Sequence, residues 1–188
     1  MPVRFQHDKL DNSFYFTTFT CFKWKCLFEI SDAYNSVYKW FDSLYEKNIR
    51  VTGYVIMPNH VHTLLYFQKM SKSLNKVIGN AKRFIAYDII QQLENKRETG
   101  LLEELHSYVK KNEGKKGQRH KVFEDSFDAK ECYTRKFITQ KLDYMHKNPV
   151  SKKWQLVKDF TEYPHSSASF YENGILRYDK IPHVAEVW

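Results

Sequence analysis

Residues 51–67 read Val-Thr-Gly-Tyr-Val-Ile-Met-Pro-Asn-His-Val-His-Thr-Leu-Leu-Tyr-Phe, and the fold turns on how this stretch is divided. Two apolar, β-branched runs, 51–57 and 61–67, are interrupted by Pro58-Asn59. They form either a hairpin or one strand bent or bulged at the proline, and two pieces of sheet are the preferred reading. In the second run His60 and His62 stand at i and i+2. In an extended chain both imidazoles project from one face, roughly 7 Å apart at the backbone, while Val61 points the other way into the core. Both rings can then reach one ion. A lone His-x-His is more often two histidines on a polar sheet face, so it needs a second element before it implies chemistry.

Outward from this pair, residues 14–22 are Phe-Tyr-Phe-Thr-Thr-Phe-Thr-Cys-Phe, a composition that suits a first strand. Ser31 can cap a helix in which Tyr34, Val37, Tyr38, Phe41, Leu44 and Tyr45 make one stripe, ending at Lys47-Asn48. On the other side, Ser73 can cap a second helix to about Leu93, with Leu74, Val77, Ile78, Ala81, Phe84, Ile85, Ile89 and Leu93 on one side. Residues 95–121 are basic and poor in apolar residues, which predicts a short helix followed by a mobile basic loop. A short apolar run at 122–127 predicts another strand, and 134–147 a helix that Pro149 stops. A tail from about 151, carrying Trp154, Tyr163, Phe170, Tyr171 and Trp188, is expected to wrap back onto the body. This order is an α+β plan, helices laid on an antiparallel sheet, within one domain over 1–188.

With 188 residues and 42% hydrophobic content, the chain can bury one core. Thirty Lys+Arg against 22 Asp+Glu give +8, which favours a polyanionic partner over a cationic one. Cys21, Cys26 and Cys132 make an odd set without a C-x-x-C pair, which argues against a disulfide framework and a thiolate zinc site. The N-terminus lacks an apolar leader and no run approaches a membrane span, so a cytoplasmic protein is expected.

The second element lies at 142–150, Leu-Asp-Tyr-Met-His-Lys-Asn-Pro-Val. On a helix Tyr144 and Asn148 share a face about 6 Å apart, so a nucleophile and an oxygen ligand approach one ion together, while His146 faces elsewhere. Alone, this is more often a packed ring followed by an asparagine before a helix-ending proline.

Taken together, Met-Pro-Asn-His-Val-His at 57–62 and Asp-Tyr-Met-His-Lys-Asn-Pro-Val at 143–150 resemble the HUH-class single-tyrosine transposases, specifically the REP-associated tyrosine transposases. Tyr-Pro-His-Ser-Ser at 163–167 looks like the Trp-Pro-Ser-Ser ending many members carry. The resemblance implies a ferredoxin-like (RRM-like) sheet of HUH endonuclease architecture, with His60 and His62 on a central strand as metal ligands. It also implies Tyr144 as the nucleophile on a late helix and Asn148 in the place of the third protein ligand. It further implies cleavage and rejoining of single-stranded or hairpin DNA through a covalent 5′-phosphotyrosine, in a monomer. The donor set suits Mg²⁺ or Mn²⁺. Lys82, Arg83, Lys115, Lys116, Arg119 and Lys121 are candidates for a DNA groove. Two alternatives stay open: a non-catalytic binder of structured DNA, and a metal-dependent phosphodiesterase that uses water as nucleophile.

Overall fold

The computed structural model describes residues 12–68, 73–115 and 117–188; the N-terminal stretch read for a leader and Lys116 lie outside them. Four strands form one antiparallel sheet in the order β2-β3-β1-β4: β1 Ser13–Thr20, β2 Ile49–Met57, β3 His60–Phe67 and β4 Asp128–Glu131. The helices are α1 Leu27–Ser31, α2 Tyr34–Tyr45, α3 Leu74–Asn95, α4 Thr99–Ser107, α5 Lys111–Gly114, α6 Arg135–His146, α7 Ala168–Asn173 and α8 Val184–Val187. A β-α-β-β-α-β progression with the two middle strands of the sheet contributed by β3 and β1 is the ferredoxin-like plan.

The stretch at 51–67 is a hairpin: Met57 pairs with His60 across a two-residue Pro58-Asn59 connection. A bulge between Val51 and Gly53 switches which side chains of β2 face which layer. Val51, Tyr54, Ile56, Val61 and Leu65 join Tyr15 and Phe19 of β1 under α2 and α3. On the opposite face Val55, Met57, Leu64, Phe14 and Phe16 pack with Ile138, Leu142 and Met145 of α6. Burial of each such large apolar side chain contributes about 1.5–3 kcal/mol, and here it fixes where α6 sits. Thr134 caps that helix by accepting from the Phe137 amide.

Gly53 lets α6 approach the sheet. A Cβ there would stand 2.5 Å from Leu142 Cδ2 and 3.5 Å from Met145 Cε. Gly53→Val should therefore cost about 1–3 kcal/mol in chemical denaturation, because the extra methyls must displace a packed leucine. A loss within error of zero would mean that α6 is not seated by this contact.

Several expectations are corrected. Phe84, placed in the apolar stripe of α3, is 58% exposed and stands outside the buried face. Ser31 does not cap the long helix; it ends α1, donating its hydroxyl to the Leu27 carbonyl, and α2 begins after Ala33. The fourth strand is not 122–127. Only Phe123 makes a single bridge there, to Cys21, and the strand is the polar Asp128–Glu131, whose side chains can alternate with solvent because it lies at the sheet edge. Residues 95–121 hold two helices, α4 and α5, in place of one helix and a loop, with Leu105 buried against the core.

The tail does fold back. Ile56 N–H donates to the His165 carbonyl and Ser167 N–H to that of Tyr54, so 165–167 runs beside the outer edge of β2. The Tyr163 hydroxyl donates to the Ile56 carbonyl. Among the described residues no helix is long and apolar enough to cross a membrane.

Candidate metal and tyrosine site

His60 and His62 are both buried on the α6 face of β3, as the i, i+2 spacing requires. Their Nε2 atoms face each other at 3.1 Å. The outer nitrogens are anchored: His60 Nδ1 meets Asn59 Oδ1 at 2.6 Å, and His62 Nδ1 meets Thr18 Oγ1 at 2.7 Å. Asn59 uses its amide nitrogen to donate to the Trp24 carbonyl. Its oxygen can only accept, so His60 carries its proton on Nδ1 and presents a bare lone pair at Nε2. Such outer contacts are how protein metal sites orient imidazoles.

Burial pushes the His60 imidazole down to about 4, with Lys153 adding to the effect. Burial also holds His62 well below the ordinary histidine range, reinforced by His60 and Lys141. Both rings are thus neutral near pH 7, the form that binds cations.

Asn148 completes the cluster. The α-helix stops at His146, and Asn148 opens a single 3₁₀ turn containing Pro149, so the i, i+4 relation to Tyr144 is made across a helix end. Its Nδ2 lies 3.1 Å from His62 Nε2 and 3.5 Å from His60 Nε2. A half-turn of the amide puts Oδ1 in the same place, as a cation would require. Neighbouring ligands about 2.1 Å from one ion stand roughly 3.0–3.4 Å apart, so the donor spacing fits a single divalent cation. Among the described residues no cluster of three or more His, Cys, Asp or Glu offers a rival site.

Tyr144 projects from α6 with 56% of its surface exposed, its ring centroid 5.4 Å from that of His62. Phe16 supports it edge-on at 6.1 Å, and Lys141 Nζ lies 5.7 Å from the ring centre. His146 faces the other way, buried, bonding Ser167 Oγ through Nε2 at 2.8 Å.

Two of the six candidate groove residues are engaged within the fold. Lys82 is buried and donates to the carbonyls of Glu124, Asp125 and Ser126; burial lowers its pKa to about 8. Lys121 is buried between Glu113 and Asp125. Both charges are spent holding the segment that leads into β4. Arg83, on α3 across the sheet, is exposed, as are Lys115 and Arg119, and among the described residues none of the three contacts the imidazoles or Tyr144. The cations that do flank the cluster are Lys141 and Lys153. Charge content alone could not pick them, because only the fold brings 141 and 153 beside β3. Thr18, on the neighbouring strand, was missed for the same reason, and Asn59, though directly before His60, shows its role only through its side-chain contacts.

No protein-family model matches the chain, and no curated protein does. Among solved structures it is similar to a REP-associated tyrosine transposase bound to a REP hairpin, at a TM-score of 0.60 and 14% identity, covering 96% of this chain and 92% of that one. The chain therefore has the fold of a REP-associated tyrosine transposase over nearly its whole length.

Proposed function

We propose that the protein is a metal-dependent enzyme that cleaves and rejoins single-stranded or hairpin DNA, with Tyr144 as nucleophile. One observation carries this reading: two neutral imidazoles and a side-chain amide converge at 3.1–3.5 Å beside an exposed tyrosine. A purely structural histidine pair has no need of a third donor and a solvent-facing phenol at the same point. The similar transposase is bound to a REP hairpin, which supports hairpin DNA as the substrate class here.

His60, His62 and Asn148 are the residues that would hold the ion, and two nitrogens with one oxygen suit Mg²⁺ or Mn²⁺ with positions left for phosphate and water. The chemistry a bound ion supplies is Lewis-acid polarisation of the scissile phosphate. Tyr144 Oη attacks phosphorus, forming the O–P bond and losing its proton to solvent. The bond from phosphorus to the 3′ oxygen breaks, and that oxygen leaves with the electron pair and takes a proton. The protein is then joined to a 5′ phosphate, and attack by a 3′-hydroxyl reverses the step. Lys141 places positive charge beside the reacting ring. Tyr144 meets the imidazoles of its own chain, which supports a monomer as the working unit.

The test is a 5′-labelled and a 3′-labelled hairpin oligonucleotide, each with unpaired flanks, incubated with protein and Mn²⁺ and resolved under denaturing conditions. A protein-linked band carrying only the 3′ portion is expected, and EDTA should remove it. Cut ends without a protein-linked band would favour the water-using phosphodiesterase, and binding without cutting would favour the non-catalytic reading.

A further inference from the structure

The imidazole pair has two flanks, and the chemistry above uses only one. Tyr144 borders His62; the flank beside His60 is built from Trp24, Trp154 and Lys153. The Trp24 and Trp154 rings each stand 6.1 Å from the His60 ring. Lys153 Nζ lies 4.8 Å from the Trp24 ring centre and 5.6 Å from that of Trp154.

Trp24 is 57% exposed, an unusual position for the largest apolar side chain. The fold holds it there at a cost: Lys23 and Trp24 are consecutive non-glycine residues with φ of 52° and 57°. The Trp24 carbonyl is tied to Asn59, the residue that also orients His60. The Trp24 backbone is thus held beside the candidate cation site, with the ring still open to solvent. Lys153 is exposed, and among the described residues no carboxylate pairs with it, whereas nearby Lys25 is paired with Glu104.

Building on the proposed reaction, we infer that Trp24 and Lys153 form a nucleotide subsite for single-stranded DNA, Trp24 stacking on a base and Lys153 pairing with its phosphate. An exposed aromatic beside a cation that no carboxylate neutralises among the described residues is the combination that binds unpaired strands without regard to sequence. In-line displacement puts the entering and departing oxygens on opposite sides of phosphorus. Tyr144 enters from the His62 flank, so the subsite on the His60 flank holds the nucleotide that departs and must later return.

The experiment reads binding alone, by fluorescence anisotropy of hairpin oligonucleotides with and without an unpaired flank, in the non-cutting Tyr144→Phe background. Trp24→Ala should weaken binding of the flanked hairpin about tenfold or more, leave the blunt hairpin within about twofold, and leave Mn²⁺ binding unchanged. Trp24→Phe should recover most of the loss, and Lys153→Ala should weaken binding and flatten its salt dependence. Equal losses on flanked and blunt hairpins, or no loss in a Trp24→Ala protein with unaltered thermal unfolding, would overturn the subsite. If the native protein binds flanked hairpins in this way but never forms a covalent adduct, the subsite stands and the cleavage reading falls.

Discussion

Tyr144→Phe should erase the covalent protein–DNA adduct while leaving the fold and hairpin binding almost untouched. The phenyl ring keeps the edge-on contact with Phe16 and the packing beside His62. With 56% of the residue exposed and its hydroxyl free of hydrogen bonds among the described residues, deleting one oxygen should shift stability by no more than about 0.5 kcal/mol. The rate of strand cleavage should fall by a factor on the order of 10⁴ or more, since removal of a nucleophile leaves only binding and electrostatic stabilisation. The clean contrast is what makes the variant informative: adduct formation in gels against affinity by anisotropy. Persistence of the adduct would move the nucleophile elsewhere.

His60→Ala should remove metal binding, with some loss of stability in the metal-free protein. In the native chain a cation that binds only the folded state raises stability by RT ln(1 + [L]/Kd), about 2.7 kcal/mol at a hundredfold excess over Kd. Mn²⁺ should therefore raise the thermal midpoint of the native protein and not that of the variant, with affinity by titration calorimetry falling about a hundredfold or more. The substitution also deletes a buried ring and leaves Asn59 Oδ1 unpaired, so the metal-free variant should itself lose about 1–3 kcal/mol. Equal Mn²⁺-induced shifts in both proteins, or none in the native one, would detach the imidazoles from any cation.

The hairpin at 51–67 and the first strand were legible from their apolar, β-branched and aromatic runs, and helices α2, α3 and α6 from helical spacing of apolar residues. So was the common orientation of His60 and His62, which depends only on alternation along one strand. The fourth strand was not, because Asp-Ala-Lys-Glu is held by pairing with β1 and has no apolar signature. Lys82 and Lys121 were misjudged for a related reason: a lysine that spans a loop's carbonyls or an acidic pair is indistinguishable in sequence from one that faces water. Thr18 became visible only through the register, which sets it opposite His62. Trp24 carries no signal in the sequence, because its backbone twist is what turns it outward next to the site.

The segment beside β2 reaches back across more than a hundred residues of chain, His165 meeting Ile56. Contacts so remote in sequence close slowly, after local helices and the hairpin have formed. Until they do, the half-made molecule displays a row of free amides and carbonyls along one rim, the kind of surface on which two incomplete copies zip together. Recovery of soluble protein after unfolding is therefore expected to fall as protein concentration rises.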